Sequence, residues 1–325
     1  MAELSADGVL TLSELAHRKD PNGNLATVAE VLTEDNEILL DAVNVEANDT
    51  FAHKIVRRSS LPSGSWRKLN AGVADEASQT MEVVEGIGML ESFAQADIDL
   101  VMSAPNPMQF RMTEAASFIE DMSQTFATTF FYGNSNTDPE QFTGLAPRMD
   151  SLAATQNVIG EGGSGSDVTS VYIVQWNPRY VYLIYPKGSS VGLLHQDLGI
   201  ETVNDTDGNK YRAYIDRFQW KTGLAVSDPR SIARLANIES AGASNLFDED
   251  NLITLLGRFP MSGRGCVIYA NSTVKTQMQI AIKDKTNVNY TADGGDGLSG
   301  MPLLRFQGFV VRKSDAIINT ETDVS

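Results

Sequence analysis

NPMQFRMTEAASFIEDMSQTFATTFFYG, residues 106–133, is the most strongly patterned stretch of the chain. Asn106 is a helix-capping residue, and Pro107 takes the first helical position, where a missing N–H costs nothing. Met108, Met112, Ala115, Ile119, Met122, Phe126 and Phe130 then recur every three or four residues, which lines one face of an α-helix. Gly133 is a stop signal. Pro107 to Tyr132, about 26 residues at 1.5 Å each, make a rod of roughly 39 Å. A stripe of Met and Phe at this spacing reads as core, so Met108, Met112, Ile119, Met122, Phe126 and Phe130 are expected to be buried along a structural spine.

On the N-terminal side of this helix the periodicity changes. From Asp49 to Leu100, β-favouring clusters (Phe51, Ile55, Val56; Trp66, Leu69; Met81, Val83, Val84) are punctuated by Pro62, Gly64, Gly72 and Gly86. The spacing predicts a long hairpin turning near Ala71 to Ser78, with arms of about 20 residues reaching on the order of 60 Å. Its charges divide by arm: Lys54, Arg57, Arg58, Arg67 and Lys68 are followed by Asp75, Glu76, Glu82, Glu85, Glu91, Asp97 and Asp99. Opposite charges on paired strands stabilise a hairpin by at most about 1 kcal/mol per pair. A two-stranded ribbon is marginal alone in water. The favoured reading is a flap lying across a neighbouring copy, with Lys54, Arg57, Arg58, Trp66, Arg67, Lys68, Glu82 and Glu85 at the contact. Further upstream, residues 1–25 read as an extended arm, and Ala26 to Asp41 as a short helix.

On the C-terminal side, strands are expected at Val171–Gln175, Tyr180–Tyr185, Lys210–Trp220 and Gly223–Ala225. Arg230–Asn237 reads as strand or short helix. A helix from Asp248 to Leu256 stopped by Gly257, a buried strand at Cys266–Ala270 and a helix capped by Ser272 and running to about Asp284 follow. A Gly-rich loop (Asp293–Gly300) and strands near Leu303–Val311 and Ala316–Asn319 close the chain. The repertoire is α+β.

The formal net charge is −17, from 42 acidic and 25 basic residues, a poor balance for gripping a phosphate backbone. No apolar run approaches the roughly 20 residues of a membrane span, and the first residues carry early acids instead of the apolar centre of a secretion signal. The single cysteine, Cys266, excludes an internal disulfide, which fits a reducing cytosol, and reads as a small core residue. His17, His53 and His195 stand far apart without metal-ligand spacing. Gly160, Gly162 and Gly165 resemble a phosphate-binding loop but lead into a strand where that chemistry needs a helix start. Asn204 to Asn209 lacks the bidentate Glu of a calcium loop and reads as a hairpin turn. No catalytic residue, cofactor site or metal site emerges, and the chain reads as structural.

Taken in order, Leu61-Pro62 through Trp66-Arg67-Lys68-Leu69-Asn70 with Gly72-Val73, the run FATTFFYGN (126–134) leading to PEQFTGLAPR (139–148), and WKTGL (220–224) with Asp228-Pro229-Arg230 resemble the major capsid proteins of tailed bacteriophages with the Hong Kong 97-type fold. The likeness is greatest to short-tailed phages of the epsilon-fifteen kind and runs from about Leu10 to Thr320. It implies an N-terminal arm and short helix (1–48), an extended β-hairpin loop over an adjacent subunit (49–104), a spine helix with peripheral-domain strands (105–240), an axial helix–strand–helix unit (241–300) and closing strands (301–325). The axial-type unit follows the strand pair near 171–188, whereas in the family's prototype it precedes it, so the connectivity is reordered. The resemblance further implies self-assembly into pentamers and hexamers of an icosahedral shell enclosing double-stranded DNA. The location would be the virion, with assembly in the bacterial host cytoplasm. Scaffold, portal and decoration proteins are candidate partners; DNA would lie nearby without sequence-specific binding, and no membrane is involved. The alternatives are an encapsulin-type nanocompartment shell, marked by a cargo-tail pocket and no portal, and an acidic cytosolic enzyme, marked by a monomer that turns over a small molecule.

Overall fold

The computed structural model describes residues 34–152, 157–205, 207–242, 244–284, 290–293 and 303–325. A short helix α1 (Ile38–Asp41) and strand β1 (Asn44–Glu46) lead into strands β2 (Ala52–Ser60) and β3 (Gln79–Gly86). Strand β4 (Gly88–Asp97), helix α2 (Ile98–Ser103) and the long helix α3 (Pro107–Tyr132) follow. Next come β5 (Val158–Gly160), β6 (Val168–Gln175), β7 (Val181–Tyr185), β8 (Leu193–Asn204), β9 (Lys210–Val226) and β10 (Ile232–Glu239). Helix α4 (Glu249–Leu256), strand β11 (Cys266–Ala270) and helix α5 (Ser272–Asp284) precede β12 (Tyr290–Asp293), β13 (Leu303–Phe306) and β14 (Phe309–Lys313). The chain divides into two units, of which the first holds 34–36, Met89–Ala127 and Gly192–Lys221, and the second the remaining described residues.

In the first unit, β8 and β9 form an antiparallel hairpin from Leu193 opposite Trp220 to Asn204 opposite Lys210. Its turn is closed by the Asp205 carboxylate, which accepts the N–H groups of Asp207 (3.0 Å) and Asn209 (2.6 Å), as the hairpin-turn reading of this stretch expects. Helix α3 buries Phe110 with Leu100, Val101 and Ala104 near its start, and Met122 with Ala94 and Phe218 later. Phe126 stacks on Trp220 with ring centroids 4.5 Å apart. The first half of the stripe departs from expectation: Met108, Met112 and Ile119 are 70, 68 and 42 % exposed. Helical spacing aligns these side chains on one face, but burial also needs an element lying over that face. Near the helix start the cover lies on Phe110's side instead.

In the second unit, a seven-stranded sheet runs in the order β12-β13-β14-β11-β6-β10-β5, with β6 antiparallel to both β10 and β11. Every residue of β6 is buried, which explains its near-continuous apolar run VTSVYIVQ. Leu252, Leu255 and Leu256 of α4 and Val274 and Met278 of α5 pack in one cluster with the sheet residues Val171, Ile173, Leu235 and Ile268. The end of α3 is buried here too: Phe130 stacks on Trp176 and Phe131 lies against Tyr172. The end of β9 pairs antiparallel with β7, and β7 pairs parallel with β1.

Several expectations are corrected. Residues 210–226 form one strand, because Lys221 and Thr222 continue the extended backbone. Arg230–Asn237 resolves to strand, Ile232–Glu239. Helix α5 is capped by Asn271, whose Oδ1 accepts the Val274 N–H at 2.9 Å, not by Ser272, its first residue. Ala316–Asn319 is irregular, and an isolated bridge follows it, pairing Glu321 with Val168. Of the expected helix 26–41, Ile38–Asp41 is helical; the arm 1–25, residues 26–33 and 294–300 of the Gly-rich loop lie outside the described residues.

Candidate assembly surface

Strands β2 and β3 pair from Ala52 opposite Gly86 to Ser60 opposite Gln79 as a separate two-stranded ribbon. The paired stretch is shorter than expected, at 9 and 8 residues, or about 30 Å of ribbon. Its second arm ends at Gly86 because the chain bends at Ile87 and Gly88 to start β4. A Cβ at Gly88 would stand 3.2 Å from the Glu140 carbonyl oxygen, so only glycine passes there freely. Residues 61–78 form an open tip with no ladder. Within it Ser63 donates from both its backbone N–H and its hydroxyl to Glu76, pinning the two sides together. The turn falls at Lys68–Ala71, earlier than expected, where Asn70 adopts a φ of 61° that Asn tolerates better than most residues. Leu61, Trp66 and Leu69 are exposed throughout.

The root of the ribbon is held firmly. Glu85 is buried and receives a bidentate pair from Arg148 (2.8 and 2.7 Å), with Arg57 at 3.9 Å on its other side. Arg148 also donates to the carbonyls of Thr143 and Gly144. Gly144 and Gly133 make that loop possible: a Cβ on either would come within 2.6 Å of the Thr129 carbonyl oxygen. Arg57 donates to the carbonyls of Val226 and Ser227. His53 presents Nε2 to the Tyr182 hydroxyl at 2.9 Å and accepts the Asn48 N–H on Nδ1 at 3.3 Å. Burial lowers the His53 pKa from its usual 6.5, with the Glu85 charge opposing. Ile55 completes the root, packed with Tyr182, Ile184 and Ala225.

The charged residues of the flap are not used up within it. Among the described residues, Arg57 with Glu85 is the sole ion pair between the strands, while Lys54, Arg58, Arg67, Lys68 and Glu82 make none. The register explains this: Lys54 faces Val84, Glu82 faces Val56 and Arg58 faces Thr80. Three of the acids assigned to the flap lie outside it. Glu91 binds Arg217, which holds its carboxyl below the usual range. Asp97 caps α2 by accepting the Asp99 N–H, and Asp99 lies within that helix.

Sequence reasoning missed Arg148, Arg234 and Glu321, whose partners lie far away in the chain. Buried Glu321 accepts from Tyr132, Ser170, Tyr172 and Arg234, tying residues near 321 to the seven-stranded sheet. A signal for Arg148 was present in the phrase FTGLAPR, although its partner was not.

Chemistry finds little to work with elsewhere. Burial raises the Cys266 thiol to about 12, far from a thiolate at neutral pH. His195 stacks on Phe218 and bonds Asp216 at 2.9 Å. Among the described residues no cluster of acids, His and Cys could hold a metal ion, and no helix is long and apolar enough to cross a membrane.

The sequence matches the family Major capsid protein GP7 over residues 20–325. No curated protein matches it. Among solved structures, a chain of the cryo-EM structure of bacteriophage Epsilon15 is similar over 99 % of both chains, with 27 % identity and a TM-score of 0.73. The capsid of bacteriophage JBD30 is similar over 95 % of this chain and 99 % of that one, at 11 % identity and a TM-score of 0.52. The SrpI encapsulin complex of Synechococcus elongatus PCC 7942 reaches a TM-score of 0.46, at 11 % identity, over 71 % of this chain and 97 % of that one. The ribbon, the long helix and the mixed sheets thus form a Hong Kong 97-type architecture, and the chain belongs to the major capsid protein GP7 family.

Proposed function

We propose that this head-shell subunit assembles into the pentamers and hexamers of an icosahedral shell around double-stranded DNA, each copy laying its β2–β3 ribbon across the next. The observation that carries the reading is the tip itself. Residues 61–78 hold Leu61, Trp66 and Leu69 in water at the end of a two-stranded ribbon whose root is clamped by Glu85. An isolated ribbon of this kind is marginal, and exposed aromatic and aliphatic side chains at its end favour a second surface. A contact in which the tip of one copy meets a different patch of the next is head-to-tail, and closes into a ring when the rotation permits. Repetition around the ring makes weak contacts add. Scaffold, portal and decoration proteins are the further partners such a head would use. The net charge of −17 suits a wall beside packed DNA that does not grip it.

Replacing Pro62–Ser78 with an Asn-Gly turn tests this. The variant is expected to stay soluble, with an unchanged circular dichroism spectrum, and to form no closed shells by electron microscopy. Normal shells from it would refute the overlap.

A further inference from the structure

Strand β2 keeps one edge open. The Asn48 side chain meets both backbone groups of Lys54, accepting its N–H at 2.9 Å and donating to its carbonyl at 2.8 Å, so these groups face away from β3. Backbone direction alternates along an antiparallel ladder, and Val56 and Arg58, in unbroken register with Lys54, turn their N–H and C=O groups the same way. The ribbon has two strands only, and no group of the described residues pairs with these four. A cleft of about 960 Å³ runs along the open edge: it is lined by residues 55–61 but, from β3, by Met81 alone, and its far wall is 179–180 and 227–230. We propose that this cleft takes a third strand from a different protein, an extended acidic segment that sets an apolar side chain beside Val56 and a carboxylate beside Arg58. The site lies at the root of the ribbon and does not depend on where the tip rests.

An open edge offers backbone hydrogen bonds to any extended chain, and the side chains around it choose among them. Val56, Leu61 and Met81 are exposed and apolar. Arg58 and Arg179 make no ion pair among the described residues, and Arg230 is held by Asp228, the one acid of the lining. Side chains two residues apart share a face of a strand, so an apolar residue followed at the second place by Asp or Glu matches Val56 and Arg58 in order. Carboxylates on the opposite face would meet Arg179 across the cleft. Nucleic acid fits less well: the net charge of −17 opposes its phosphates, and a phosphate backbone offers nothing to the apolar side chains. A second copy also fits less well. The acid-bearing strands β3, β4 and β8 are each paired with β2 or β9, whose Lys and Arg side chains would come with them to an already basic cleft.

Binding of a labelled short peptide of alternating valine and glutamate to shells assembled from this chain alone tests the proposal, read by fluorescence anisotropy. Saturable binding is expected, together with slowed amide exchange over residues 55–60. Arg58→Glu with Arg179→Glu is expected to weaken it by at least about tenfold, since like charges then face each other. A peptide with lysine in place of glutamate is expected not to bind. Equal binding of the two peptides, tighter binding of a short DNA duplex, or no binding of the glutamate peptide would each overturn the proposal. Amides of Val56 and Arg58 already protected in shells without peptide would overturn it too, because a segment of this chain would then occupy the edge. If the double variant does not assemble, the exchange experiment on the wild type decides: slowing over 55–60 with the glutamate peptide supports the third strand, and unchanged exchange there overturns it.

Discussion

His53 links a single proton to the root of the ribbon. Its Nδ1 accepts the Asn48 N–H, so a proton added there would meet another donor, and burial disfavours the charge besides. The folded chain therefore binds this proton less readily than the unfolded chain. The stabilisation is fully present above the ordinary value of 6.5 and is lost as pH falls through the lower folded value. The urea midpoint of the wild type is expected to fall between about pH 7 and pH 5 more steeply than that of His53→Gln, which cannot titrate at this position. Parallel curves would contradict the assignment. At Glu321 four donors converge on one buried carboxylate, so its burial is compensated by hydrogen bonds.

At the scale of elements, the proposed overlap rests on the β2–β3 ribbon and its clamped root. Glu85 makes the ribbon root one rigid piece with the 143–148 loop. Glu85→Ala would leave Arg148 and Arg57 without their carboxylate, at a cost on the order of 3 kcal/mol. Faster amide exchange in β2 and β3 is expected, with the seven-stranded sheet little changed. Unaltered exchange in both strands would show that the clamp does not hold the ribbon. Much of this level was legible in the sequence. The rhythm from Met108 to Phe130 marks α3, and Gly133 marks its end, because period and stop are local properties. The helix–strand–helix unit at 249–284 was legible for the same reason. What covers a face is not local, so Met108 and Met112 read as core while lying exposed in the folded chain. The Arg148 clamp was hidden likewise, since Glu85 stands 63 residues away. The acids from Glu91 onward looked like part of the flap because no local signal shows that β4 leaves it.

At the scale of the whole molecule, the unpaired flap charges and the uncovered half of the spine describe one condition: the folded chain is unfinished. Its cores are filled and its ribbon root is clamped, yet among the described residues Trp66 at the tip and Met108 and Met112 on the long helix stand exposed. A head-to-tail contact repeated around a ring, as proposed above, would cover the tip on every copy at once. The measurement that tests this most directly is hydrogen–deuterium exchange across residues 61–78, compared between dissociated subunits and assembled shells. Fast exchange in subunits and strong slowing in shells are expected. Equal exchange in the two states would contradict the account, whether fast in both or slow in both.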